Sequence, residues 1–153
     1  MSDIKRDSIH GPAVPAPLHE GETLLATWQA DKRVYWRGHA IMAIAGGILA
    51  GVVLVALGNP APWVGPIAAT AALGLRGAYL ASEALTLTWR LTSERLLGPG
   101  GHLIGLAEIT HARPFFGDVQ IITHGGNKYL MKYMADAQAV VDAIDAARQS
   151  LRP

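Results

Sequence analysis

The sequence predicts a membrane protein of the α+β class: a two-helix transmembrane hairpin followed by a small β-barrel or sandwich that a C-terminal amphipathic helix closes. Three observations predict it. Two long apolar runs, 39–58 and 63–82, are separated only by a proline-rich turn. Beyond residue 82 the pattern changes to short β-type segments punctuated by Gly, Pro and Asn. The closing stretch, ADAQAVVDAIDAARQSL, places its apolar residues at helical spacing.

Composition agrees. Half of the 153 residues are hydrophobic and 16% are charged, against roughly 25% in an ordinary soluble domain. A net charge of +1 gives no case for nucleic acid, which calls for a clearly basic surface. With no cysteine, a disulfide framework, a cysteine nucleophile and a thiolate zinc site are excluded.

Residues 1–20 hold Lys5 and Arg6 but no apolar core of leader type, and Pro12, Pro15 and Pro17 oppose helix. The expectation is a mobile tail without a cleavable signal. Residues 21–82 then form the hairpin with its lead-in, and residues 83–153 a separate domain.

The first span, HAIMAIAGGILAGVVLVALG, has no formal charge if His39 is neutral, and at ~1.5 Å per residue it covers the ~30 Å core of a bilayer. The alternative is a buried helix of a soluble protein, which is usually shorter and carries a polar stripe. Asn59, Pro60 and Pro62 break the helix, and Trp63 opens the second span. Lys32, Arg33 and Arg37 precede the first span, Arg90 and Arg95 follow the second, and the turn has neither Lys nor Arg. The positive-inside bias therefore puts both termini in the cytoplasm, in a multi-pass protein of the inner membrane. Tyr35, Trp36, Trp63 and Trp89 fit interfacial aromatic belts.

Small residues recur every four positions at Ala43, Gly47 and Gly51 and at Thr70, Gly74, Ala78 and Ser82. These two stripes are expected to pack on each other. Arg76 should then point away from the seam, toward lipid or a partner, roughly 10 Å from the cytoplasmic interface and within snorkelling reach of it. Glu83, seven residues on, shares its face. Two readings stand: simple snorkelling with a solvated Glu83, or pairing with another polypeptide or an anionic headgroup.

The β-type segments are 85–92, 95–98, 102–109, 113–116, 119–123 and 129–134, with turns at Ser93-Glu94, 98–101, Gly117-Asp118 and 125–127. The final helix has Asp136 as its N-cap. Here the residues resemble a known family. WRLTSERLL, LAEI and GDVQIIT before a terminal helix are similar to the bacterial pleckstrin-homology-like, or membrane-flanking, domain. Leu91, Thr92, Arg95 and Leu96 match its "LT..RL" signature, and GETLLATW resembles the "GE..L" stretch ahead of the first helix. The resemblance covers about residues 20–150. It implies a pleckstrin-homology-like barrel hung directly on a helix pair, with a non-enzymatic scaffold or assembly role among other membrane proteins or copies of itself. An accessory role in a bioenergetic complex, such as a photosynthetic one, is one version.

No catalytic, metal or cofactor site is expected. The six histidines form no ligand-spaced pair, and GPGGH and HGGNK lack phosphate-loop spacing. The remaining candidates are Arg90 and Arg95, near Arg76 and under the cytoplasmic leaflet. They either hold anionic headgroups, at about 1 kcal/mol each, or simply obey the positive-inside rule.

Overall fold

The computed structural model describes residues 16–151. It is an α+β chain of two long apolar helices, two small antiparallel sheets and a C-terminal helix. In order the elements are β1 (Leu24–Gln29), α1 (Lys32–Ala56), α2 (Val64–Ala84), β2 (Thr88–Thr92), β3 (Arg95–Leu97), β4 (Leu103–Gly105), β5 (Ile109–Phe115), β6 (Asp118–Thr123), β7 (Lys128–Met131) and α3 (Ala137–Ser150). Most of the expected tail lies outside the described residues. Its end does not hang free, because the Ala16 and Pro17 carbonyls accept hydrogen bonds from Arg90 and Arg95.

α1 starts at Lys32 rather than 39 because the Asp31 carboxylate caps it, accepting the Val34 N–H at 2.9 Å. α2 runs slightly past the expected 82, to Ala84. On α1 the foreseen stripe does face the partner: Gly47 is buried, with Pro66 atoms 3.5 to 3.7 Å from where its Cβ would sit, and Gly51 also meets Pro66. On α2 the foreseen stripe does not. Thr70, Gly74, Ala78 and Ser82 are exposed, and a Cβ on Gly74 would meet nothing within 4 Å. The packed face is Pro66, Ala69, Leu73, Gly77 and Leu80, turned about 100° from it. Leu73 lies against Gly46, and Gly77 against His39. The spacing of small residues alone does not choose between two adjacent stripes on α2.

The sheets have strand orders β1-β2-β3-β4 and β5-β6-β7. β1 comes from the stretch read as a lead-in to the first helix, and it pairs antiparallel with β2, with Trp28 opposite Trp89. The helical hairpin is thus inserted between two neighbouring strands, and the β-module draws on residues before α1 as well as after α2. Trp89 is not interfacial: only 4% exposed, it sits in the module's core with Leu91, two residues on and on the same strand face. Segment 102–109 is not one strand. A 3-10 turn at Leu106–Glu108 divides it as the chain changes sheets. Along one strand Leu106 and Ile109 would face opposite sides, and the tighter turn leaves both 1% exposed.

α3 behaves as its period requires. Asp136 accepts the Ala139 N–H at 3.0 Å, and Val140, Val141, Ile144 and Ala147 are buried against a core that includes Ile121 and Met131.

Candidate functional site

Two clusters tie the helices, the sheets and the N-terminal stretch together, and they decide what the candidate arginines are free to do. The first joins the hairpin to the β-module. Tyr35, in the first turn of α1, is 1% exposed rather than a belt residue. Its hydroxyl donates to the Gly77 carbonyl at 2.7 Å, and its ring meets His39 at 4.2 Å and Tyr133 at 5.0 Å between centroids. Tyr133 takes a left-handed φ of 59°, held by its N–H to the Asp118 carboxylate at 2.8 Å and its carbonyl to the Asp31 N–H at 2.6 Å. Burial, then the neighbouring Tyr35 and Asp118, push the Tyr133 phenol upward from its ordinary value. Any side chain at Gly77 would force the His39 ring to shift, since a Cβ would stand 2.7 Å from it.

The second cluster is a buried ion pair. The Glu22 carboxylate, its side chain fully buried, accepts from Arg95 Nε and Nη2, each at 3.0 Å. It also accepts from the Thr92 hydroxyl at 2.5 Å and the His19 N–H at 2.7 Å. Hydrogen bonds from Arg95 outweigh burial and lower the Glu22 pKa from 4.5 to about 2. The pairing raises that of Arg95. Glu22 lies in the stretch GETLLATW, and Thr92 and Arg95 in WRLTSERLL, so these two stretches are the two halves of one contact. The segment before β1 is fastened by it to the turn between β2 and β3.

This geometry withdraws Arg95 from the set of lipid-facing cations, because its Nε and Nη2 are engaged inside the chain and its side chain is only 12% exposed. Arg90 is half-buried and donates to the Ala16 carbonyl at 2.6 Å. Arg76 and Glu83 are both exposed, and among the described residues neither side chain has an ion-pair partner within 4.0 Å. Arg76 is shallower than the spacing implied. The contacts of Gly47 with Pro66 and of Gly77 with His39 put it level with Ala40, where the apolar stretch of α1 begins. It flanks the helix seam rather than lying opposite to it, roughly 60° from Leu73 on the α2 wheel.

Of the six histidines, His10 lies outside the described residues. His39 is wedged between the helices, its Nδ1 3.0 Å from the Tyr35 carbonyl, and His102 packs on Tyr129. His19 comes within 3.1 Å of Glu94 and 3.9 Å of Glu22. A cation shared by these three would have to displace Arg95 from Glu22. A hollow of about 420 Å³ beside α3 includes His124, Thr110 and Arg148. There Arg148 is tied to Asp145 at 2.9 Å and to the Thr110 carbonyl at 3.2 Å.

Compared with protein-family models, with curated proteins and with solved structures, the chain matches none.

Proposed function

We propose that this chain is an integral membrane scaffold: the helical hairpin spans the bilayer and holds a pleckstrin-homology-like β-module against its cytoplasmic face, where it assembles with or stabilises other membrane proteins. The observation that carries the membrane reading is exposed apolar surface. The most apolar windows of α1 and α2 are only 6% and 11% buried, and Ile44, Ile48, Leu49, Val55 and Leu75 are each more than 60% exposed. A monomer in water rarely leaves a patch of a few hundred Å² uncovered, and these helices expose apolar side chains along their whole length. Ala40 to Leu57 spans roughly 27 Å at 1.5 Å per residue, close to the hydrocarbon thickness.

The pleckstrin-homology-like reading is supported by the layout of the module: a four-stranded sheet, a three-stranded sheet and a terminal helix on their core. Its position supports a scaffold, since strands on both sides of the hairpin fix the module at the membrane instead of hanging it on a linker. An assembly role in a bioenergetic complex remains one form of this proposal. A second reading, recognition of anionic lipid, is favoured by Arg76 alone, which is exposed at the edge of the apolar zone.

Gentle detergent extraction of the tagged full-length chain, followed by mass spectrometry of retained proteins and lipids, separates the readings. The scaffold reading expects defined membrane proteins that Arg76→Leu weakens and Arg76→Lys partly keeps, because charge persists without the planar fork. Retention of anionic lipid alone, lost in Arg76→Leu, would establish the second reading instead.

A further inference from the structure

The β5–β6 hairpin ends in two adjacent aromatic residues that the fold leaves uncovered. Phe116 is 97% exposed and Phe115 43%, with their rings edge to face at 5.1 Å. The turn is a two-residue one with φ of 51° at Phe116 and 90° at Gly117. A reversal of this kind favours Asn, Asp or Gly at its first position. Phe there carries the cost of a left-handed backbone, and beyond its edge-to-face meeting with Phe115 the ring stays 97% exposed. The ring is therefore presented outward at the expense of local stability.

Its place in the fold says toward what. Where a Cβ on Gly117 would lie, Val34 Cγ1 is 3.6 Å away, and the Gly117 carbonyl accepts the Met134 N–H at 3.0 Å, beside the junction of Tyr133 with Asp31. The hairpin tip is thus level with the first turn of α1. Val34 stands five residues before His39, roughly 8 Å along the axis, which is about the depth of one headgroup layer. Trp36, 36% exposed, lies in the same zone, as do the exposed Lys32 and Arg33 and, next to Tyr133, Lys132. Exposed aromatic rings among cations at this level suit a zwitterionic and anionic headgroup region.

We infer that Phe115 and Phe116 form an interfacial anchor that enters the headgroup layer of the same membrane the hairpin crosses, giving the β-module a second point of attachment and a fixed tilt. The inference rests on the membrane reading above, and the test separates the two. The chain has no cysteine, so single substitutions Phe116→Cys, Asn127→Cys and Ile48→Cys accept one nitroxide each in the full-length protein. Each is reconstituted in phosphatidylcholine vesicles containing phosphatidylglycerol, and collisions with lipid-dissolved oxygen and with a water-soluble nickel chelate are compared. The expected result is a shift of the oxygen-to-nickel ratio at Phe116 toward that of Ile48, with Asn127, at the other end of β6, reading as water. A water-like Phe116 beside a lipid-like Ile48 would overturn the anchor and leave the membrane reading intact. A water-like Ile48 would overturn both. A label at Phe116 that neither reagent reaches lies against protein, which also refutes the anchor.

Discussion

Replacing Glu22 with Gln tests the clasp between the N-terminal stretch and the sheet. The substitution keeps size and removes the charge, leaving the Arg95 guanidinium, its side chain only 12% exposed, without a counter-ion. Removing one partner of a buried pair costs about 3 to 5 kcal/mol. The lowered carboxylate pKa, which the same contacts cause, corresponds to a figure of the same order. Glu22 ionises near 2 when folded against an ordinary 4.5, a gap that corresponds to about 3 kcal/mol at 1.36 kcal/mol per pH unit. The sign follows from a depressed carboxylate: the contribution is fully present above pH 4.5 and is lost as pH falls toward 2. The assay is urea titration of the full-length chain in detergent, read from the module tryptophans Trp28 and Trp89 with Trp36 and Trp63 replaced by Phe. At pH 7 Glu22→Gln should lower stability by about 3 kcal/mol, and near pH 2.5 the difference from the parent should shrink to a fraction of that. Glu22→Leu combined with Arg95→Leu should lose less than either single change, since no unpaired charge remains. A loss below about 1 kcal/mol for Glu22→Gln at pH 7, the scale of a surface pair, would refute the argument.

Four further outcomes are expected. Gly77→Ala should destabilise the hairpin by about 1 to 3 kcal/mol through overpacking on His39, whereas Gly74→Ala should be neutral, both read from thermal unfolding in detergent. Tyr35→Phe should cost about 1 to 3 kcal/mol in the same measurement, because the Gly77 carbonyl loses its second donor in a buried place. Ile144→Ala should cost about 2 to 5 kcal/mol and loosen the module without releasing it from the membrane, as urea titration would show. Residues 83–153 made alone should fold poorly, lacking β1 and Glu22. Joining 16–30 to 87–151 by a short linker should restore a β-rich circular dichroism spectrum, since the Ala30 N–H already bonds the Leu87 carbonyl at 3.3 Å.

What could be read from the sequence was local. The apolar runs announce themselves by composition, α3 by its period and its Asp136 cap, and most hairpin turns by their Gly and Asn. The α1 stripe through Gly47 was legible because small residues dominate it. Its counterpart on α2 was not, because the packed face mixes Pro66, Leu73 and Gly77 rather than repeating small residues. β1 is not legible in the sequence, since Leu24 and Leu25 are about half exposed and its partner strand lies across the whole hairpin. The role of Arg95 was hidden for the same reason, with Glu22 73 positions away. For Trp89, proximity to a span suggests an interface, whereas the alternation that buries it with Leu91 points inward. Phe115 and Phe116 are visible in the sequence, but the turn falls on Phe116 and Gly117 rather than on Gly117 and Asp118, and only the nearness of Gly117 to Val34 gives them a direction.

In the proposed topology α1 and α2 cross the membrane as a hairpin and hold the β-module on the cytoplasmic side. The absence of cysteine permits one direct measurement: labelling of Asn59→Cys and Ser93→Cys in intact and in lysed cells with a membrane-impermeant maleimide. Asn59→Cys, in the turn between the helices, should label in intact cells. Ser93→Cys, between β2 and β3, should label only after lysis. Labelling of Ser93→Cys in intact cells, or protection of Asn59→Cys until lysis, would contradict this topology.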